Sequence, residues 1–253
     1  MTLKKQVPNF ITLLNLLSGS IAVYFAANNA LALAAYFVLL GIFFDFFDGF
    51  TARLLNVQGE LGKQLDSLAD VVTSGVVPGI IMVQLLLNSL KNKHWEFSVL
   101  LEKPDFSYFT TPLFISLIGL IITLGAAFRL AKFNLDERQT SSFIGLPTPA
   151  AALVVISFPL ILEYSNNQFS IMLIENTSFL IGVTLVLAYL MNAEIPLFSL
   201  KFKNFDWKKD FIKILFIVIA ILFIVLIKFI AIPMIILLYV LLSLIENRYK
   251  LKA

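Results

Sequence analysis

The sequence contains no cysteine and only one histidine, His94. Without cysteine the chain has no disulfides, no thiolate nucleophile and no cysteine-ligated zinc or iron–sulfur site. A single histidine in a polar loop argues against a Ser-His-Asp triad and against a histidine-rich metal site. Any chemistry therefore has to use carboxylates, Arg, Lys, hydroxyl groups and amides.

Charged residues are also scarce, at 14% of the chain, whereas 59% of the residues are hydrophobic and the mean hydropathy is +0.92. A soluble domain is about one quarter charged. This composition predicts an all-α polytopic membrane helix bundle, because the apolar runs are continuous and do not alternate as in a β-barrel. We expect membrane lipids as partners and no nucleic acid.

About eight apolar segments are long enough to cross roughly 30 Å of hydrocarbon as helices. They lie near residues 10–28, 30–54, 61–88, 108–132, 147–163, 177–193, 211–229 and 231–247. We predict a membrane core over residues 1–193. Residues 194–253 then form a basic cytoplasmic loop and a C-terminal helical hairpin.

Basic residues are divided unevenly between the two predicted membrane faces. With eight spans both termini lie on one face, and 15 of the 19 Lys and Arg residues fall there. The positive-inside rule makes that face cytoplasmic. The sequence therefore predicts a protein of the cytoplasmic (inner) membrane with both termini in the cytoplasm.

Four aspartates stand where the second predicted span ends and the third begins. Asp45 and Asp48 are spaced i, i+3, and Asp66 and Asp70 are spaced i, i+4, so each pair shares one helix face. Unit charges about 5 Å apart repel by about 3 kcal/mol at an effective dielectric of 20. Either some of these carboxylates are protonated or cations lie among them. Oxygen ligands without Cys or His favour Mg²⁺, Mn²⁺ or Ca²⁺.

The residues around the aspartates suit a substrate that carries phosphates. Two carboxylate-held metals bridge phosphate oxygens in a displacement reaction. Gly49 and Ala52 permit close approach of a ligand, and Arg53 offers a fork of donors to a phosphate. Singly, a helix-end aspartate, a packing glycine or an anchoring arginine is ordinary, and only the combination, with Gly62 in register, favours a binding site.

The spacing D-x2-D-G-x2-A-R-x8-G-x3-D-x3-D from Asp45 to Asp70 resembles the signature of the CDP-alcohol phosphotransferases at every fixed position. The resemblance implies a homodimeric membrane enzyme with a six-helix core. Such enzymes transfer a substituted phosphoryl group from a CDP-linked donor to an alcohol and release CMP. It also implies that all four aspartates bind two divalent cations, with Asp70 and Asp66 catalytic and Asp70 the base for the attacking hydroxyl.

By the same resemblance, Gly49 and Ala52 flank the cytidine and Arg53 contacts phosphate. Asn9 and Thr12, one helical turn apart, are suited to hydrogen-bond cytosine or phosphate. The predicted CDP-binding residues are Asn9, Thr12, Gly49, Ala52, Arg53, Gly62 and Ser67.

The stretches 8–15, 66–75, 129–134 and 145–150 resemble the phosphatidylserine synthase branch of this family. Two positions depart from it. Ser74 stands in place of the Phe of a Thr-Phe-Gly motif, and Lys132 stands in place of the Arg of an Arg-Phe-Asn motif. The likeness implies CDP-diacylglycerol and L-serine as substrates. Arg129, Lys132 and Asn134 are then predicted to bind serine or the lipid phosphate, although topology anchoring also explains Lys132.

The sequence is compatible with three alternatives. Another family member would use glycerol 3-phosphate or inositol phosphate as acceptor, or an archaeal ether lipid as donor. A UbiA-like prenyltransferase also binds Mg²⁺-diphosphate, but its aspartate motifs are well separated in the chain. A cation transporter would use intramembrane carboxylates, yet the sequence has no internal repeat of the kind common in transporters.

Overall fold

The computed structural model describes residues 3–90, 111–135, 143–197 and 207–250, and almost all of them are helical. The helices are α1 (Leu3–Ala27), α2 (Leu31–Leu54), α3 (Glu60–Asp70), α4 (Val77–Ser89), α5 (Thr111–Ser116), α6 (Ile121–Leu135), α7 (Thr148–Tyr164), α8 (Gln168–Ile174), α9 (Thr177–Asn192), α10 (Trp207–Ile227) and α11 (Ala231–Lys250). A π-helical segment, Val71–Val76, joins α3 to α4. Two-residue strands, β1 (Phe143–Ile144) and β2 (Pro196–Leu197), pair antiparallel. The all-α prediction is confirmed.

Within the described ranges, five helical stretches are long and apolar enough to cross a bilayer: Gln6–Ala27, Leu31–Leu54, Glu60–Ser89, Thr111–Leu135 and Lys213–Glu246. A sixth is added if α8 and α9, which meet at 73°, cross as a pair. Helices of this length and composition make the chain an integral membrane protein.

The number of qualifying stretches is lower than the eight spans predicted from hydropathy. Helix α7 is apolar but has only 17 residues, and α9 belongs to the bent pair. The stretch Lys213–Glu246 reverses at Lys228, whose φ is +48°. The rings of Phe216 and Tyr239 are 5.6 Å apart, whereas a straight helix would separate these residues by about 35 Å. The predicted C-terminal hairpin is therefore present, while the boundary at residue 193 stays a prediction.

Small residues bring the first two helices together. Helices α1 and α2 pack along each other through Ala22, Ala26, Ala34 and Ala35, none of which is exposed. Small side chains are typical of such contacts in lipid, because close backbone approach replaces the missing hydrophobic driving force. Helices α4 and α7 supply most of the larger buried side chains.

The first four helical stretches bring their polar ends together at one end of the bundle. Lys63 Nζ donates to the backbone oxygen of Asn134 at 3.0 Å, and Asn134 Nδ2 donates to Ser67 Oγ at 2.8 Å. These bonds join the start of α3 to the end of α6. The opposite end is joined by different contacts, such as Asn88 Nδ2 to Asn29 Oδ1 at 3.1 Å. The aspartates lie at the first of these two ends.

Gly119 marks a close backbone contact that can be tested. A Cβ at Gly119 would lie 2.6 Å from Val83 N and 3.0 Å from Met82 C, whereas a Cβ at the exposed Gly182 would meet no described atom within 4 Å. We expect Gly119→Ala to destabilise the protein by at least about 1 kcal/mol and lower Tm by about 3 °C. Gly182→Ala should leave Tm equal or higher, since alanine favours helix. Equal thermal unfolding of the two variants in detergent would contradict the predicted packing.

Candidate active site

The two aspartate pairs face each other across the junction of α2 and α3. Asp45, Asp48 and Asp66 each offer a carboxylate oxygen, and these oxygens lie within 4.8 Å of one another. Asp45 also interacts through its side chain with Asp70. Asp48 and Asp70 are buried, and Asp45 and Asp66 are half-buried. The clustering predicted from the spacing is therefore present.

The cluster fits a divalent cation by its donor set. All four side chains offer only carboxylate oxygens, the ligand type that hard divalent ions prefer. Oδ1 of Asp66 is buried and has no hydrogen-bond partner among the described residues. A buried carboxylate oxygen left without a partner is costly in a membrane bundle. These residues thus have the oxygen ligands of a metal site and one buried oxygen that lacks a hydrogen-bond partner among the described residues.

Helix α1 supplies a neutral donor to one of the aspartates. The Thr12 hydroxyl lies 2.5 Å from Asp48 Oδ2 and 3.1 Å from the Pro8 backbone oxygen. Thr12 is 3% exposed. Sequence reasoning predicted a direct contact of Thr12 with the nucleotide, which stays a prediction. The structure adds a contact with an aspartate that was not predicted.

Two further polar residues near the cluster were not predicted. Asn15 Nδ2 lies 3.5 Å from Asp70 Oδ1, and Asn15 Oδ1 accepts a hydrogen bond from Thr73 Oγ1 at 2.7 Å. Neither residue is more than 1% exposed. The spacing of Asn9, Thr12 and Asn15 places three polar side chains on one face of an apolar helix. That pattern was the available signal for Asn15.

A cavity of about 700 Å³ opens beside the cluster. Its volume is typical of small-molecule sites. Six of the seven predicted CDP-binding residues line it together with Asp48 and Asp66, and the remaining wall comes largely from the α2–α3 connection. The lining residues are Pro8, Asn9, Thr12, Asp48, Gly49, Ala52, Arg53, Val57, Gln58, Gly59, Glu60, Leu61, Gly62, Lys63 and Asp66.

The two signature glycines differ in the space around them, which is open at Gly49 and tight at Gly62. A Cβ at Gly49 would meet nothing within 4 Å, and one at Gly62 would lie 3.3 Å from Asn9 Oδ1. Ser67 is absent from the lining. Its hydroxyl donates to the Lys63 backbone oxygen at 3.1 Å and accepts from Asn134, so its contacts in the structure are with the helix ends.

The three residues predicted to bind the acceptor have different surroundings. Arg129 is 7% exposed, its guanidinium lies 5.7 Å from the Phe133 ring centroid, and it is attracted electrostatically by Asp70. Its buried Nε has no hydrogen-bond partner within the described part of the chain. Lys132 Nζ instead pairs with Glu194 Oε1 at 3.2 Å. Asn134 bonds to the α3 residues described above. Of these three residues, only Arg129 has a described interaction with one of the four aspartates.

The chain is similar in sequence to a family of known proteins over most of its length. Residues 5–190 match the sequence model of the CDP-alcohol phosphatidyltransferases. The chain belongs to this family. Enzymes of the CDP-alcohol phosphatidyltransferase family generally use a divalent metal, and the cluster of Asp45, Asp48 and Asp66 is compatible with one.

Several curated relatives carry names that specify an acceptor. The chain is 32% identical over 178 residues to a CDP-diacylglycerol–serine O-phosphatidyltransferase of Bacillus subtilis (strain 168), covering 68% of this chain and 89% of that protein. It is 28% identical over 217 residues to the enzyme of the same name from Helicobacter pylori (strain J99), covering 82% and 78%. It is 31% identical over 163 residues to the archaetidylserine synthase of Methanothermobacter thermautotrophicus, covering 63% and 60%.

Proposed function

We propose that this protein is a phosphatidylserine synthase that transfers the phosphatidyl group from CDP-diacylglycerol to the hydroxyl of L-serine and releases CMP. The observation that carries the proposal is the aspartate cluster beside a cavity lined by six predicted CDP-binding residues. The names of the relatives support serine as the acceptor. Phospholipid synthesis is the corresponding cellular role.

Each part of the signature has a role in this reaction. The serine hydroxyl oxygen attacks the phosphorus that carries the diacylglycerol, and the bond from that phosphorus to the CMP oxygen breaks. Asp70 accepts the hydroxyl proton. Gly49 and Ala52 leave room for the cytidine, and Arg53 at the cavity wall donates to phosphate. Asn9, Thr12, Gly62 and Ser67 complete the proposed CDP-binding set.

Asp45, Asp48, Asp66 and Asp70 are the proposed ligands of two divalent cations, Mg²⁺ or Mn²⁺, with Ca²⁺ as a further occupant. Bound cations of this kind neutralise phosphate charge during an in-line displacement. Asp66 is proposed as catalytic together with Asp70, because Asp66 belongs to the carboxylate cluster and also lines the cavity. The unpartnered Oδ1 of Asp66 supports its assignment as a ligand.

Arg129 is the proposed ligand of the serine carboxylate. Its burial, its attraction to Asp70 and its unpartnered Nε leave a donor beside the proposed base. A guanidinium matches a carboxylate by a forked pair of hydrogen bonds. The ion pair of Lys132 with Glu194 supports the anchoring explanation for that residue. Asn134 is then assigned to the joint between α6 and α3.

The active site is proposed to lie at the cytoplasmic face of the inner membrane, with both termini in the cytoplasm. The uneven distribution of Lys and Arg supports this orientation. A cytoplasmic site would receive soluble serine directly, while the lipid donor enters from the bilayer. A homodimer is proposed on the family resemblance alone.

The second candidate is an archaetidylserine synthase, which the 31% identity to the Methanothermobacter enzyme favours. That activity shares the serine acceptor and the CMP leaving group, and it differs in the lipid tails of the donor. Its proposed chemistry at the aspartates is the same.

An acceptor screen tests the function. Purified protein with Mn²⁺ or Mg²⁺ and CDP-diacylglycerol should release CMP only when L-serine is added. Release with glycerol 3-phosphate or inositol phosphate in place of serine would overturn the serine assignment and keep the family chemistry. Faster release from CDP-archaeol than from CDP-diacylglycerol would favour the second candidate. Ion flux in proteoliposomes without CMP release would support a transporter.

Replacement of one cluster carboxylate tests the metal site. We expect Asp66→Asn to weaken Mn²⁺ binding by at least about tenfold, since one anionic oxygen ligand becomes neutral. Glu60→Gln is the matched control, because Glu60 lines the same cavity outside the cluster and should bind Mn²⁺ as the wild type does. Electron paramagnetic resonance titration of Mn²⁺ measures both. Equal weakening in the two variants would indicate general electrostatic attraction.

Substitution of Arg129 tests the acceptor site. Arg129→Ala should raise the serine KM by about 10- to 100-fold, the usual effect of losing a charged hydrogen bond, with little change in the CDP-diacylglycerol KM. Arg129→Lys keeps the charge in this buried position and should be intermediate. Lys132→Ala is the control and should leave the serine KM near the wild-type value. Equal rises in both KM values for Arg129→Ala would contradict a serine-specific role.

A further inference from the structure

Thr73 lies in the π-helical segment Val71–Val76, which begins directly after Asp70. Single π-helical turns inside longer helices are frequent at functional sites, because the wider turn changes which side chains face inward. Here Thr73 is 1% exposed and contacts Asn15 of α1, which has no exposed surface. The segment thus connects an aspartate of the proposed site to a buried polar pair.

The hydrogen bonds define the orientation of the Asn15 amide. The single hydroxyl hydrogen of Thr73 has two acceptors within reach, Asn15 Oδ1 at 2.7 Å and the Asn15 backbone oxygen at 3.3 Å. With Oδ1 accepting from Thr73, the amide nitrogen is directed at Asp70 Oδ1, 3.5 Å away. With the amide turned over, Asn15 Oδ1 would face Asp70 Oδ1, and both of these oxygens are acceptors. The contact with Asp70 is at the upper limit of hydrogen-bond length.

Two glycines hold the Thr73 side chain in place. A Cβ at Gly19 of α1 would lie 2.4 Å from Thr73 Oγ1. A Cβ at Gly41 of α2 would lie 2.6 Å from Thr73 Cγ2 and 2.9 Å from Asn15 Oδ1. Helices α1 and α2 therefore approach the threonine on two sides, at a distance that only glycine allows. The threonine has little freedom to leave its bond with Asn15.

We propose that Thr73 is a positioning residue for the transfer reaction. Its hydroxyl fixes the Asn15 amide, and the amide nitrogen holds the Asp70 carboxylate in place for the serine hydroxyl. Thr73 acts through Asn15 and has no contact with substrate. This inference rests on the proposed function, because Asp70 is the proposed base there.

The test compares two substitutions at Thr73. Thr73→Val keeps the shape and removes the hydroxyl. It should lower kcat by about 10- to 100-fold, the usual effect of losing an outer hydrogen-bond partner, at saturating Mn²⁺, with both KM values within about twofold of wild type. Thr73→Ser keeps the hydroxyl and should retain kcat within about threefold. The matched control is Thr123→Val. Thr123 Oγ1 donates to the Gly75 backbone oxygen of the same segment at 3.0 Å, and its loss should leave kcat unchanged.

A double-mutant cycle shows whether Thr73 acts through Asn15. Asn15→Ala should lower kcat, and adding Thr73→Val should cause no further loss, because the residue it orients is gone. Mn²⁺ titration gives a readout independent of turnover, and the affinity should fall by about tenfold in Thr73→Val and stay unchanged in Thr123→Val. A purely structural role would lower Tm in both threonine variants alike and leave kcat and Mn²⁺ affinity at wild-type values.

Wild-type kcat or wild-type Mn²⁺ affinity in Thr73→Val would overturn the proposal, as would additive losses in the double variant. The acceptor screen on the wild-type protein tests the proposed function, and its result does not depend on the role of Thr73. If another alcohol drives CMP release, the cycle is measured with that alcohol, and the same outcomes decide the role of Thr73.

Discussion

Four carboxylates repel one another at the junction of α2 and α3, and the neighbouring helices have to compensate for this repulsion. Asp48 and Asp70 are 5% and 9% exposed, so water solvates their carboxylates only poorly. Compensation comes from neighbouring side chains, from bound cations or from protonation of some of the carboxylates. The chain provides both neutral donors and a guanidinium near the cluster. Oδ1 of Asp66, which has no hydrogen-bond partner among the described residues, would gain a partner by binding a divalent cation.

Helix α1 provides the neutral part of this compensation. Thr12 reaches Asp48, and Asn15 reaches Asp70, one helical turn deeper. Further along the same helix, Gly19, Ala22 and Ala26 have little or no side chain and allow α2 and the π-helical segment to come close. One helix therefore changes along its length from a donor surface to a packing surface. The close packing fixes the distance at which its donors meet the aspartates.

The parts of the site that were predictable from the sequence are those made by neighbouring segments. A short connection joins α2 to α3, so the spacing of Asp45, Asp48, Asp66 and Asp70 was enough to predict that the pairs face each other. The same locality explains why most predicted CDP-binding residues line one cavity. In this region helical periodicity and chain connectivity carry nearly all the geometric information.

The contacts that sequence reasoning missed join residues far apart in the chain. Lys132 pairs with Glu194, and Thr73 bonds to Asn15. No periodicity within one helix reports such a partner, and a lysine near an aspartate motif is naturally interpreted as a phosphate ligand. Each of the eight apolar segments predicted from hydropathy has a helical counterpart in the described residues, but the bends within these segments were not predictable. Hydropathy measures apolar length, but it contains no information on the 73° bend between α8 and α9.

Donor and acceptor recognition are assigned to different segments, and this separation has a consequence for specificity. The signature on α2 and α3 is the proposed binding site of the CDP group, whereas Arg129 on α6 is the proposed contact for the acceptor. Bonds from Lys63 and Asn134 fix these segments relative to each other. Under this proposal, a change of acceptor would require changes on α6 and would leave the spacing of the aspartates unchanged. For the same reason, the signature indicates the reaction, and the choice of alcohol has to be sought around Arg129.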